Sequence, residues 1–196
     1  RREGDVPYFH LFVVMVDEGR DRMLVISTGH WKPGTGAKGL IDEVTEARKV
    51  VQEVSAIWSA QKYRHKVIID NVSKNVGQNL NYLITEHRKY SLARHFSIHF
   101  NSVAGTYDRG IGCEVLYADN RMKEAAEQMC FAICNASGLT FRGAKKRTNL
   151  RFLNAFPYSG LLIEVCFVNS KTDVQLYKKN FNAICNAIAK AAVLQK

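Results

Sequence analysis

Three short apolar runs constrain the fold of this chain more than any other feature. They are Leu24–Ser27, Phe96–Phe100 and Leu161–Val168. Each is too short for a buried helix, is rich in Ile, Leu, Val or Phe, and is bounded by polar or turn residues, so each reads as a buried strand. Longer segments with helical spacing lie between them. Glu43 to about Gln61 places Val44, Ala47, Val51, Val54 and Trp58 along one stripe, and Asn75–Tyr90 carries Leu80, Leu83, Ile84 and His87. Further strands are expected at Lys66–Ile69 and Ile111–Tyr117. A helix is expected over Arg121–Ser137, stopped by Gly138, and a last helix or helix pair over Thr172–Leu194. This alternation predicts an α/β fold: a single domain with a twisted, mostly parallel sheet and helices on both faces. In such sheets function collects at the carboxyl ends of the strands.

The apolar runs carry polar residues that a buried strand does not need. His30 follows the first, His99 interrupts the second and Glu164 the third. Burying such groups unpaired is costly, so partners are expected. The acidic pair Asp42-Glu43 opens the first helix. Two His and two Glu at strand or helix ends can supply three ligands for a zinc ion and one general base. That is the pattern of a metal-dependent hydrolase. Glu164, between Ile163 and Val165, suits the base, because desolvation raises a carboxyl pKa toward neutrality. Glu114 sits in a similar strand and is the rival acid. His10, His65, His87 and His95 read as surface or packing residues. Cys130 and Cys134 share a helix face but offer only two soft ligands, and the five cysteines read as small buried hydrophobes in a reduced protein.

The net charge of +10 calls for an anionic partner: nucleic acid, a membrane surface, or a wall carrying phosphate polymers. The basic residues are scattered, with no stacking-aromatic motif or recognition helix, so nucleic acid is not expected. No apolar stretch is long enough to span a membrane. Tyr8–Val16 is apolar, but Asp5 precedes it, Asp17-Glu18 follows, and no small-residue cleavage site appears. It does not read as a signal peptide. Residues 1–22 are read as an extension, either an extra strand or a remnant of upstream sequence, and 23–196 as the catalytic domain.

From Met23 onward the chain resembles the zinc-dependent N-acetylmuramoyl-L-alanine amidases, in particular the catalytic domains of phage and prophage endolysins. The resemblance rests on Gly29-His30 with Gly36-Ala37 downstream, Glu43 at a helix start, Ser97-Ile-His99-Phe-Asn101, Gly112–Tyr117, Arg142-Gly-Ala-Lys145, Leu150–Leu153, and Leu162–Phe167 with Asp173 beyond. It implies one zinc ion held by His30, Glu43 and His99, with Glu164 as acid/base. Asn101, Glu114, Arg142 and Lys145 become candidate substrate contacts. Asp42 and Glu46 remain alternatives to Glu43, because the loop before them is shorter than is usual in the family. The implied substrate is bacterial peptidoglycan, cleaved between N-acetylmuramic acid and L-alanine. The enzyme would be made in the cytoplasm without a signal peptide and act on the cell wall, with anionic wall polymers as a second partner. Another zinc peptidase or carboxypeptidase and a basic nucleic-acid-binding protein are the alternative functions.

Overall fold

The structure is a computed structural model in which residues 22–194 are described. Its elements, in chain order, are β1 (Leu24–Thr28), α1 (Glu43–Ala60), β2 (His65–Ile68), α2 (Val76–Arg88), β3 (Arg94–Asn101), β4 (Cys113–Tyr117), α3 (Lys123–Ser137), β5 (Phe141–Lys146), α4 (Arg151–Ala155), β6 (Gly160–Phe167), α5 (Lys171–Lys179) and α6 (Phe181–Leu194). The apolar stretch Tyr8–Val16 and His10 lie outside the described residues.

The six strands form one sheet in the order β2-β1-β3-β6-β4-β5. All neighbours are parallel except β4 and β6, which run antiparallel. The central strands β1, β3, β6 and β4 are those whose sequences are nearly continuous apolar runs, as burial on both faces requires. Alternation sorts their side chains. Phe96, Ile98 and Phe100 of β3 and Leu161, Ile163 and Val165 of β6 face a large core shared with α1, α3 and α6. There the Trp58 indole donates to the Ala189 carbonyl at 3.0 Å, tying α1 to α6. The opposite face packs against α2 and α4 through smaller clusters, one around Leu116, Phe152, Phe156 and Leu162 and one around Val25, Ile68 and Leu83. His95, Ser97 and His99 alternate onto this second face.

The expected elements appear with ends moved by a few residues. Gly138 caps α3 in the left-handed conformation, at φ 76°, and the C-terminal segment is a helix pair. Two elements were not expected. The basic run Arg142–Lys146 lies within an edge strand, β5, where lysines are tolerated because one side of the ladder is open to water. Helix α4 is too short to show a hydrophobic period.

Candidate metal centre

The first strand delivers His30. After Thr28 the chain turns at Gly29, and His30 adopts a left-handed backbone, φ 61°, a region where His is enriched among non-glycine residues. The loop then returns to start α1. Asp42 is the N-cap: one of its oxygens accepts from the Thr45 N–H at 2.9 Å and the other from the Gly34 N–H at 2.7 Å. This leaves Glu43, the first helical residue, aimed at the ends of β1 and β3.

Glu43 is buried and bridges the two histidines. His99 Nδ1 lies 2.9 Å from Oε1, and His30 Nε2 lies 3.3 Å from Oε2. The N–H groups of Ala37 and Phe100 also donate to it, at 2.5 and 3.2 Å. Burial opposes ionisation of Glu43, but the hydrogen bonds and charges of His30 and His99 override it and hold the carboxyl far below the usual range. For His99, burial favours the neutral ring, yet Glu43 and Glu164 together raise its pKa. The other nitrogen of His99, Nε2, lies 3.0 Å from Ser97 Oγ, which orients the ring.

Of the three carboxylates at this helix start, only Glu43 meets the histidines. Asp42 is occupied as a cap. Glu46 accepts from the Tyr177 hydroxyl at 2.9 Å and pairs with Lys49. Two glycines make room for the cluster. A β-carbon on Gly29 would strike the His99 ring, and one on Gly36 would lie 2.5 Å from Glu43 Oε2 and 2.7 Å from His30 Cδ2. The donor atoms of His30, Glu43 and His99 all lie within 4.8 Å of one another. Two imidazoles and one carboxylate suit a borderline divalent cation.

Beside this cluster runs a row of side chains set by strand register. His99 pairs with Glu164 across β3 and β6, and Glu164 with Glu114 across β6 and β4. Glu164 Oε2 is buried with no hydrogen-bond partner. Burial, with help from the nearby Glu43 and Glu114 and against the pull of His99, pushes the Glu164 pKa up to about 7. Glu114 differs: Asn101 Nδ2 donates to one of its oxygens at 3.0 Å and Arg142 Nε to the other at 2.8 Å. Asn101 of β3 and Arg142 of β5 thus converge on Glu114 of β4. Lys145 stands in register beside Leu116 on β5, half-buried and apart from these three.

A cleft of about 300 Å³ opens next to His30 and His99, walled by Leu80 and Leu83 of α2, by Leu162, and by Leu150, Arg151 and Phe152 at the start of α4. The motif Leu150–Leu153 therefore builds a wall of this cleft. A depression of about 350 Å³ around Asn81, Arg88 and Arg151 lies between α2 and α4, with none of the cluster residues in its lining. Of the remaining histidines, His87 and His95 are buried packing residues, as expected, and His65 is half-buried against Ser55 at 2.9 Å. Asp173 is a structural anchor: its carboxylate accepts from the N–H groups of Ile111, Gly112 and Phe167.

Among the described residues no helix is long and apolar enough to cross a membrane. Comparison with solved structures gives the same fold. The catalytic domain of the CD27L endolysin targeting Clostridia difficile matches with a TM-score of 0.78 at 24% identity, covering 89% of this chain and 98% of that one. The N-acetylmuramoyl-L-alanine amidase AmiC2 of Nostoc punctiforme matches with a TM-score of 0.73 at 22% identity, over 87% and 94% of the two chains. Among curated sequences, an uncharacterized 38.4 kDa protein of Clostridium perfringens is 28% identical over 159 residues, which is 80% of this chain and 46% of that protein. A second C. perfringens protein is 25% identical over 177 residues, 88% of this chain and 52% of its own length. The chain thus spans about half the length of the curated relatives it matches. The sequence profile described as N-acetylmuramoyl-L-alanine amidase matches residues 23–193, nearly the whole described fold with its histidine–glutamate cluster, and on that match the chain belongs to the N-acetylmuramoyl-L-alanine amidase family.

Proposed function

We propose that this chain hydrolyses the amide between the lactyl group of N-acetylmuramic acid and L-alanine in bacterial peptidoglycan, with one zinc ion held by His30, Glu43 and His99. One observation carries the reading: a carboxylate bridges two histidines while a second, buried carboxylate with an unpartnered oxygen stands beside them. Membership of the family supports it. Residues 23–196 are the catalytic domain in this proposal.

An amide is a poor electrophile and water a poor nucleophile; zinc, when bound, supplies the Lewis acidity that corrects both. The chain supplies the rest. Glu164 takes a proton from the attacking water at its unpartnered Oε2 and delivers it to the leaving amine of L-alanine, as a general base and then a general acid. Its raised pKa suits both halves. Glu114 is less suited, because Asn101 and Arg142 already occupy both its oxygens. The apolar wall formed by Leu80, Leu83 and Phe152 shields the cleft, while Asn101 and Arg142 are placed to meet polar groups of the substrate.

Calorimetric titration of metal-depleted protein with zinc, paired with wall-clearing assays, tests the proposal. We expect His99→Ala to lose one equivalent of bound zinc together with all clearing. Full clearing by that variant would overturn the ligand assignment.

A further inference from the structure

A second cluster of metal-binding side chains lies behind the sheet, on the face opposite the cleft. Cys113 opens β4, and Cys130 and Cys134 lie one turn apart on α3, which packs over that strand. The spacing on the helix is legible in the sequence. The third thiol is not, because it arrives from β4 and its facing depends on the alternation that sends Glu114 the other way. All three Sγ atoms lie within 4.8 Å of one another. All three residues are buried, with only Cys134 reaching the surface, at 8% exposure. All are free thiols.

We propose that Cys113, Cys130 and Cys134 form a trithiolate site for a soft, thiophilic d¹⁰ cation, separate from the histidine–glutamate centre and independent of its assignment. The donor set decides the class of ion. Soft thiolates select soft or borderline cations. Structural zinc is almost always four-coordinate, and no His, Asp or Glu joins these three sulfurs among the described residues. A cation content with three sulfurs is therefore favoured over zinc. The Thr140 carbonyl accepts from the Cys113 N–H at 2.9 Å, which ties the start of β4 to the chain leading into β5. With metal–sulfur bonds of about 2.3 Å, three sulfurs around one ion stand about 4 Å apart, so closure requires only small side-chain adjustments.

The Cys130 thiol donates to the Cys113 carbonyl at 3.3 Å and the Cys134 thiol to the Thr140 carbonyl at 3.6 Å. Both protons must leave before those sulfurs bind, since the ligand is the thiolate and binding releases protons. Cys166 and Cys185 lie elsewhere in the core and take no part. An ion here would tie β4 to α3, and so brace the strand that presents Glu114 on its other face.

X-ray absorption of the fully reduced wild-type protein carrying one equivalent of Cd²⁺ is the direct test. The expected result is three sulfur neighbours per cadmium, with a matching ultraviolet thiolate-to-cadmium charge-transfer band that saturates at one ion per chain. Cys134→Ser should lower the sulfur count to two and weaken binding by at least tenfold, while Cys185→Ser should change neither. Cadmium bound only by nitrogen and oxygen would overturn the proposal and leave the histidine–glutamate site standing. Three sulfurs with no further nitrogen and oxygen site at a second equivalent would uphold it and count against the zinc centre instead. The wild-type measurement needs no variant to fold.

Discussion

His99 and Glu164 are register partners on adjacent parallel strands, so the backbone ladder that holds β3 to β6 also sets the spacing between the bridged histidine and the unpartnered carboxylate. In the proposed mechanism, the position of Glu164 relative to His99 is a property of the sheet, not of a loop. Sites built on rigid elements hold their geometry more closely than sites on loops.

The first prediction separates the base from its rival. Glu164→Gln keeps the side-chain shape but cannot accept a proton. Hydrolysis is expected to fall by at least about 10²-fold with zinc still bound. Glu114→Gln should cost less, acting through Asn101 and Arg142. Steady-state rates with metal content measured on the same samples decide it; near-normal turnover by Glu164→Gln would move the base elsewhere.

The glycines give a prediction about space. A β-carbon at Gly29 strikes the His99 ring, so Gly29→Ala must displace that proposed ligand or shift the strand end. We expect a weaker zinc affinity and a large loss of activity. Gly34, with open space around it but φ 82°, offers a contrast: Gly34→Ala should cost about 1 kcal/mol of stability from backbone strain and leave zinc affinity nearly unchanged. Zinc titration and thermal denaturation of both variants read the difference.

A pH prediction rests on His87 and His95, whose Nδ1 atoms lie 3.0 Å apart. Burial, aided by the neighbouring His95 charge, lowers the His87 pKa to about 3, and burial lowers that of His95 to about 4. In the unfolded chain both titrate near the ordinary value of about 6.5. Below that pH the unfolded state binds protons that the folded state refuses. Their stabilising contribution is therefore complete above about pH 6.5 and is lost as pH falls, at about 1.4 kcal/mol per unit for each group. Glu164, with its raised pKa, works in the opposite direction between the ordinary carboxylate range and pH 7, so the histidine effect is read by difference. Urea denaturation of metal-free protein from pH 7 to 5 should show that His87→Gln loses less stability on acidification than wild type. Parallel pH profiles would contradict the account.

Charge supplies a fourth expectation. Lys146 and Arg147 are exposed at the β5 edge, with Lys145 half-buried beside them. If the basic surface holds the enzyme on anionic wall polymers, wall lysis should weaken as salt rises, since the screening length is about 10 Å at 0.1 M. Cleavage of a small neutral fragment should hardly change. Neutralising Lys145, Lys146 and Arg147 should mimic high salt on whole walls only. Equal slowing of both substrates would place the charge effect in the active site or in folding.

The sheet, its main helices and the polar residues that interrupt its strands were legible because apolar period and burial are local signals. The choice of Glu43 over Asp42 and Glu46 came from resemblance alone, although Asp42 carried a local signal of its own as the N-cap of α1. Strand β5 was hidden by its charges, since an edge strand needs no continuous apolar face. The Glu114–Arg142 pair and the meeting of Cys113 with Cys130 and Cys134 depend on strand order and on a register shift between β4 and β5. No periodicity reports such long-range facts.

The central claim is cleavage of one particular amide by the cluster of His30, Glu43, His99 and Glu164. Mass spectrometry of soluble products from purified peptidoglycan tests it most directly. The account expects peptides with a new free amino-terminal alanine and intact glycan, absent after chelation, restored by zinc, and absent with Glu164→Gln. New sugar reducing ends, amino termini within the stem peptide, or alanine release that persists in Glu164→Gln would contradict it.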